Sequence, residues 1–245
     1  MTELFAPVDV GAATTLLCDA DGTLFPSEEP AYAASAGVTN RFLAGLGAER
    51  SFAPEELQRM TNGKNFRGAA HELAAGFGAT LADGDLEHWV AEEKEVVTAH
   101  LSTVLRPDPG VRTALDRLAG RFRLAAVTSS ASTRLDACLD VTGLAPVFPA
   151  DRRFSAEDSL PVPTSKPDPA VYALAARQLG IRPEQGIAVE DSVNGALSAV
   201  AAGHPTIGTL VFVPLPERAA RAQALREAGA AAVVTSWAEL TDLLL

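Results

Sequence analysis

The feature that most constrains this 245-residue chain is the way its first apolar segment ends. Residues 14–18 (Thr-Thr-Leu-Leu-Cys) are short, apolar and partly β-branched, and they run straight into Asp19-Ala20-Asp21-Gly22-Thr23. Such a segment reads as a buried strand whose carboxyl end opens into a glycine turn carrying two acids. From about residue 27 to residue 102 the periodicity is helical, and nothing there reads as a strand. Leu86, Trp89 and Val90 share one helical face, and Pro54 followed by Glu55 and Glu56 marks a helix start. Arg106-Pro107-Asp108-Pro109-Gly110 then breaks the pattern as a linker.

Beyond that linker, strands and helices alternate. Val111, Leu115 and Leu118 line a helix, residues 123–127 form a strand, and a helix follows at about 133–141. Residues 153–156 are a further strand. Asp168 is expected to cap a helix with Pro169 in its first turn and Gly180 at its stop. Strands are predicted at 186–189, 204–207 and 231–234, with a helix at 194–202 and a short terminal helix. The alternating charges of Glu217 to Arg226 read as a solvated helix face. Alternation of this kind predicts a parallel sheet with helices on both faces. The expected fold is therefore α/β: a Rossmann-like, doubly wound core from residues 1–26 and 103–245, with a helical cap of residues 27–102 inserted after the first strand.

Composition narrows the partners. Hydrophobic residues make up 47% and charged residues 21%, which suits a folded domain, and the formal net charge is -11. An acidic surface repels nucleic acid and anionic lipid, so neither is expected as a partner. No apolar run is long enough to span a bilayer, and no basic segment followed by an apolar stretch reads as a signal peptide. The two cysteines, Cys18 and Cys138, have no metal-ligand spacing and read as reduced thiols of a cytoplasmic protein. The four histidines lack metal-ligand spacing too, and Trp89 reads as cap core. A monomer is the expected state, with a dimer as the alternative.

In open α/β sheets chemistry gathers at the carboxyl ends of the strands. Those ends here carry Asp19 and Asp21, then Thr128 with Ser129 and Ser130, then Glu190 and Asp191 with Ser192; the connection before Asp168 adds Lys166. Taken singly each has an ordinary reading: an Asp-Gly turn, a helix N-cap, a solvated lysine. Together they match what phosphate-ester hydrolysis needs, namely a nucleophile, a proton donor for the leaving oxygen, and groups that balance the phosphoryl charge. Asp19 could attack phosphorus directly. Asp21, returned to the site by the glycine turn, could protonate the leaving oxygen and later activate water. Asp19 with Asp191 offers hard oxygen ligands suited to Mg²⁺. Thr128, Ser129 and Lys166 could hold the phosphoryl oxygens.

These residues carry a family resemblance. Asp19-Ala20-Asp21-Gly22-Thr23-Leu24-Phe25, Val127-Thr128-Ser129-Ser130, Lys166-Pro167-Asp168-Pro169 with Tyr172, and Val189-Glu190-Asp191-Ser192 with Gly195 resemble, in order, the four motifs of the haloacid dehalogenase superfamily. The helical insert resembles the C1 cap of its phosphatase and β-phosphoglucomutase subgroup. The resemblance implies that Asp19 is nucleophile and magnesium ligand. It implies that Asp21 is general acid/base and lends its backbone carbonyl to the metal. Asp191 would be the other metal carboxylate, with Glu190 and Thr23 in support, and the cofactor would be Mg²⁺.

Within that family, dehalogenation does not need the second acid, so Asp21 points to phosphorus. Phosphonate hydrolysis would need a cap lysine in a pattern that Lys64 lacks. β-Phosphoglucomutase has a histidine shortly after the first motif where this chain has Ala31, and Pro26 stands where many relatives carry an acid. Both departures favour a phosphatase acting on a small phosphorylated metabolite over a mutase. A non-catalytic binding protein is the alternative from another class, and the complete set of acids weighs against it. Asn62-Gly63-Lys64-Asn65-Phe66-Arg67-Gly68 is a basic, glycine-bracketed turn in the cap. It reads either as a capping turn or as a substrate-specificity loop, in which Lys64, Asn65 and Arg67 are the candidates.

Overall fold

The computed structural model of the chain describes residues 2–7, 9–61, 64–81 and 84–245. The elements run β1 (Glu3–Leu4), β2 (Thr15–Cys18), α1 (Glu28–Gly45), α2 (Pro54–Thr61), α3 (Phe66–Gly76), α4 (Glu87–Val104), α5 (Pro109–Ala119), β3 (Arg123–Thr128), α6 (Ser132–Val141) and β4 (Arg153–Ser155). They continue through α7 (Ala170–Leu179), β5 (Gly186–Glu190), α8 (Val193–Ala201), β6 (Thr206–Thr209), α9 (Arg218–Glu227), β7 (Ala232–Val234) and α10 (Trp237–Leu244). The strands form one sheet in the order β1-β7-β6-β5-β2-β3-β4, parallel throughout except for the antiparallel edge pair β1–β7.

Strand β2 sits between β3 and β5 because all four of its residues are buried, as a strand covered on both faces requires. Its side chains alternate between two cores. Leu16 and Cys18 join Leu124, Ala126, Ile187 and Val189 against helices α4, α5, α6 and α10. Leu17 joins Ala125, Val127 and Ala188 against α7 and α8. Each fully buried leucine contributes roughly 1.5–3 kcal/mol relative to exposure. Chain order reverses at β2: β3 and β4 lie on one side of it, and β5 to β7 on the other. The carboxyl ends of β2, β3 and β5 therefore frame the crevice in which such sheets bind ligands.

The insert between β2 and α5 contains four helices, with no strand among its described residues. It has a core of its own, in which Phe42, Leu43, Phe52, Leu57, Leu73 and Leu86 pack together. Trp89 stands edge-to-face with Phe42 at 6.0 Å, as a cap-core tryptophan should. Helix α4 runs on to Val104, and its Val97 and Leu101 belong to the sheet's core, so it joins the insert to the sheet.

Several boundaries differ from expectation for local reasons. β6 begins at Thr206 rather than residue 204: His204 turns inward to the carbonyls of Pro183 and Gly186, and Pro205 has no N–H to give a ladder. Helix α7 starts at Ala170, with Pro169 at the N-cap and the Asp168 carboxylate accepting from the Ala170 N–H at 2.8 Å. Helix α9 is not a wholly solvated face. It buries Ala222 and Leu225, and Arg221 reaches inward to Asp191. No helix among the described residues is long and apolar enough to cross a membrane.

Candidate active site

The turn after β2 brings the two acids of the first motif to one place. Leu24 N–H bonds back to the Ala20 carbonyl at 2.8 Å and Gly22 N–H to the Phe25 carbonyl at 3.0 Å. Gly22 has φ +80°, and a Cβ there would stand 2.4 Å from Asp191 Oδ2, so only glycine permits both the turn and the approach of the acid. Asp19 continues the sheet by donating its N–H to the Val189 carbonyl at 2.9 Å.

Lys166 is the hub of the floor. Its ammonium, 2% exposed, donates to Asp19 Oδ1 at 2.5 Å, Glu190 Oε1 at 2.6 Å and the Val127 carbonyl at 2.9 Å. Tyr172 donates its hydroxyl to the same Glu190 oxygen at 2.5 Å. Burial alone would push the Lys166 ammonium down, but the Asp19 and Glu190 carboxylates outweigh it and hold the group charged. Asp19 is raised well above the usual carboxylate range by burial and then by Glu190, with Lys166 opposing. Asp191 is raised by burial, then by Glu28, Asp19 and Glu190, with Arg221 opposing.

Carboxylate oxygens of Asp19, Glu190 and Asp191 lie within 4.8 Å of one another, and all three residues are buried. Glu190 Oε2 has no hydrogen-bond partner, and Gly195 leaves the space beside it: a Cβ at that position would stand 1.9 Å away. Thr23 donates to Asp191 Oδ1 at 3.0 Å, and Arg221 to the Asp191 carbonyl at 2.9 Å. Three crowded acids, all oxygen donors and one with an unmet atom, fit a hard divalent cation.

The Asp21 carboxylate stands apart from this cluster. Ser27 donates to its Oδ1 at 2.5 Å, and Ser130 to its Oδ2 at 2.8 Å, with Thr128 at 3.4 Å. The two acids of the first motif thus have different surroundings, one on a lysine and the other on hydroxyls. The Ser129 hydroxyl accepts the Lys166 N–H at 3.1 Å, which ties the second motif to the third. Asp19, Asp21, Thr128, Ser129 and Lys166 all line one cleft between sheet and cap.

The cap residues divide. Lys64 and Asn65 line the cleft, and Lys64 is ion-paired to Glu72. Asn65 caps α3 by accepting from the Gly68 N–H at 2.9 Å. It also crosses to the core, donating through Nδ2 to the Thr164 carbonyl at 3.0 Å and through its N–H to the Ser165 hydroxyl at 3.0 Å. Arg67 bridges Glu87 at 2.6 Å and Glu157 at 3.3 Å and serves as a cap-to-core strap, outside the cleft wall. Asn62 and Gly63 of the same turn lie outside the described residues. Sequence reasoning missed Glu28, Tyr32, Glu93 and Arg134 on the cleft wall, and also Arg221 behind Asp191. Their only signal was position: Glu28 opens the first cap helix, and Arg134 lies in the first turn of α6.

A family model of haloacid dehalogenase-like hydrolases matches residues 13–203. Protein CbbY of Cereibacter sphaeroides is 31% identical over 235 residues, covering 93% of this chain and 94% of its own. Hexitol phosphatase A of Escherichia coli strain K12 is 32% identical over 192 residues, covering 76% and 78%. Among solved structures, CbbY from Rhodobacter sphaeroides in complex with xylulose-(1,5)bisphosphate superposes with TM-score 0.70 at 25% identity over 93% of this chain and 96% of that one.

Proposed function

The chain belongs to the haloacid dehalogenase-like hydrolase family, and from that membership and the geometry above we propose that it is a Mg²⁺-dependent phosphatase of a small phosphomonoester. Asp19 would be the nucleophile and Asp21 the general acid/base. The observation that carries this reading is the contrast between the two acids. Lys166 fixes one oxygen of Asp19 at 2.5 Å, whereas Asp21 is held by the Ser27 and Ser130 hydroxyls and faces the same cleft. A pair of carboxylates in different surroundings suits one to attack and the other to carry a proton.

An Asp19 carboxylate oxygen would attack phosphorus in line with the ester oxygen. As that P–O bond breaks, Asp21 would give its proton to the leaving oxygen. Water would then attack the aspartyl phosphate and lose a proton to Asp21, and the bond from phosphorus to Asp19 would break to release inorganic phosphate. Lys166, Thr128 and the Ser129 N–H would balance the phosphoryl oxygens. Asp19, Asp191 and the Asp21 carbonyl, supported by Glu190 and Thr23, would hold Mg²⁺, which when bound neutralises phosphoryl charge. Residues 27–102 would act as the cap over a core of residues 1–26 and 103–245, with Lys64 and Asn65 facing the substrate. Ala31 on the cleft wall supports hydrolysis over mutase chemistry, because an alanine cannot move a proton. The protein would work as a cytoplasmic monomer, with neither nucleic acid nor membrane as partner.

Phosphate release from p-nitrophenyl phosphate and from sugar phosphates, with Mg²⁺ and after chelation, tests the proposal. Metal-dependent release that is lost in Asp19→Asn is the expected result. Undiminished turnover by that variant overturns the mechanism.

A further inference from the structure

The cleft has an unusual charge balance for a site that must accept an anion. Among the described residues its wall carries three cations, Lys64, Arg134 and Lys166, and four acids, Asp19, Asp21, Glu28 and Glu93. Lys166 is committed to Asp19 and Glu190. Lys64 is paired with Glu72. Arg134, from the core helix α6, meets Glu93, from the cap helix α4, at 2.5 Å, with side-chain exposures of only 13% and 8%. Each of these three cations has a carboxylate partner, and Glu28 adds a further acid to the wall.

Resting on the phosphatase reading, we infer that the substrate carries a single phosphate and a neutral, hydroxyl-rich remainder, whose hydroxyls are read by the Arg134–Glu93 pair. A hydroxyl both donates and accepts, so neighbouring hydroxyls can give to the Glu93 carboxylate and take from the Arg134 guanidinium at once. A second phosphate has only acceptors and a double negative charge. It would have to approach Arg134 against Glu93 and Asp21 in a partly desolvated cleft, where like charges repel strongly. Arg134 lines the cleft and gives Nη2 to Glu93, so its guanidinium has further N–H groups to offer a substrate oxygen. Leu57, Phe66 and Leu73 on the same wall suit the C–H faces of a polyol chain. Because the pair joins core to cap, a bound polyol would engage both bodies together.

The test compares kcat/KM for sorbitol 6-phosphate and xylulose 1,5-bisphosphate in the full-length enzyme with Mg²⁺. p-Nitrophenyl phosphate, which has neither hydroxyls nor a second phosphate, serves as the control. The wild type should favour the polyol monophosphate by at least about tenfold, or about 1.4 kcal/mol. Glu93→Gln should lower that ratio by about tenfold, because Arg134 is then free to meet a second phosphate. Removing one partner of a buried pair can destabilise the protein, so the double variant Glu93→Leu/Arg134→Met, which buries no charge, provides a second reading and should lower the ratio as well. Three results overturn the inference: a wild type that prefers the bisphosphate, one that uses sorbitol 6-phosphate no better than p-nitrophenyl phosphate, or a ratio unchanged in the variants. Loss of all three activities in the wild type overturns the phosphatase reading itself, a different outcome.

Discussion

The floor and the roof of the cleft are built on opposite principles. The floor comes from strand ends, where Lys166, Glu190 and Asp191 are each at most 2% exposed and are held by several hydrogen bonds fixed by the sheet register. The roof comes from helix ends and turns, where Lys64 is held by a pair to the exposed carboxylate Glu72. Exposed pairs of this kind contribute at most about 1 kcal/mol each. The floor is therefore over-determined and suited to chemistry that tolerates no displacement, whereas the roof is held by fewer and weaker bonds. Arg134–Glu93 and Arg67–Glu157 are the exceptions, pairs with a little-exposed carboxylate that join cap to core.

Substitutions on the two sides should differ in size accordingly. The largest effect falls on the floor. Asp19→Asn should lower kcat at least about a thousandfold, roughly 4 kcal/mol of barrier, while circular dichroism stays native. Gly195→Ala comes next. Its Cβ would stand 1.9 Å from Glu190 Oε2, so the carboxylate must leave Lys166 or Tyr172, and chemical denaturation should show a loss of about 3 kcal/mol.

A pH effect follows from the crowded acids. Burial pushes Glu28 up from 4.5 to about 7, with Arg221 opposing and Asp21 adding to the rise, and Asp19 and Asp191 are raised in the same direction. A carboxyl with a raised pKa in the fold binds its proton more tightly there than in the unfolded chain. Its stability contribution is complete below about pH 4.5 and is lost as pH climbs through about 7. The melting temperature of the metal-free protein should thus fall across that window, and the stabilisation by added Mg²⁺ should grow across it. A flat profile in thermal scans with EDTA would remove the account of the acid cluster. The smallest effect belongs to the roof: Lys64→Ala should cost under about 1 kcal/mol, measured by the same denaturation, because its partner Glu72 is 53% exposed. A loss as large as that of Gly195→Ala would erase the contrast between floor and roof.

The same contrast governs what could be read from the sequence. Asp19, Thr128, Glu190 and Asp191 were legible because a buried strand leaves a strong local pattern and its carboxyl end is a fixed place for chemistry. The four-helix insert was legible from its period and from the lack of strand signals. Strand β1 was not, since two exposed residues, Glu3 and Leu4, carry no alternation. Arg221 lies inside a run of charges whose period suits solvent, and only the docking of α9 against the sheet aims it at Asp191. Glu93 and Arg134 are 41 residues apart on two helices and meet only when the cap docks on the core, a contact that no local pattern encodes. Arg67 shows the converse: a basic residue in a promising turn that the fold spends on a strap.

The central claim is that Asp19 carries the phosphoryl group. Acid quenching during the first turnover, followed by peptide mapping by mass spectrometry, addresses it directly. A single phosphoryl group should appear on the peptide containing Asp19, and with p-nitrophenyl phosphate, whose leaving group needs no proton, it should accumulate further in Asp21→Asn, where water is no longer activated for its release. A phosphoryl group on another residue, or turnover of substrate with no labelled protein at any quench time in either form, would contradict the account.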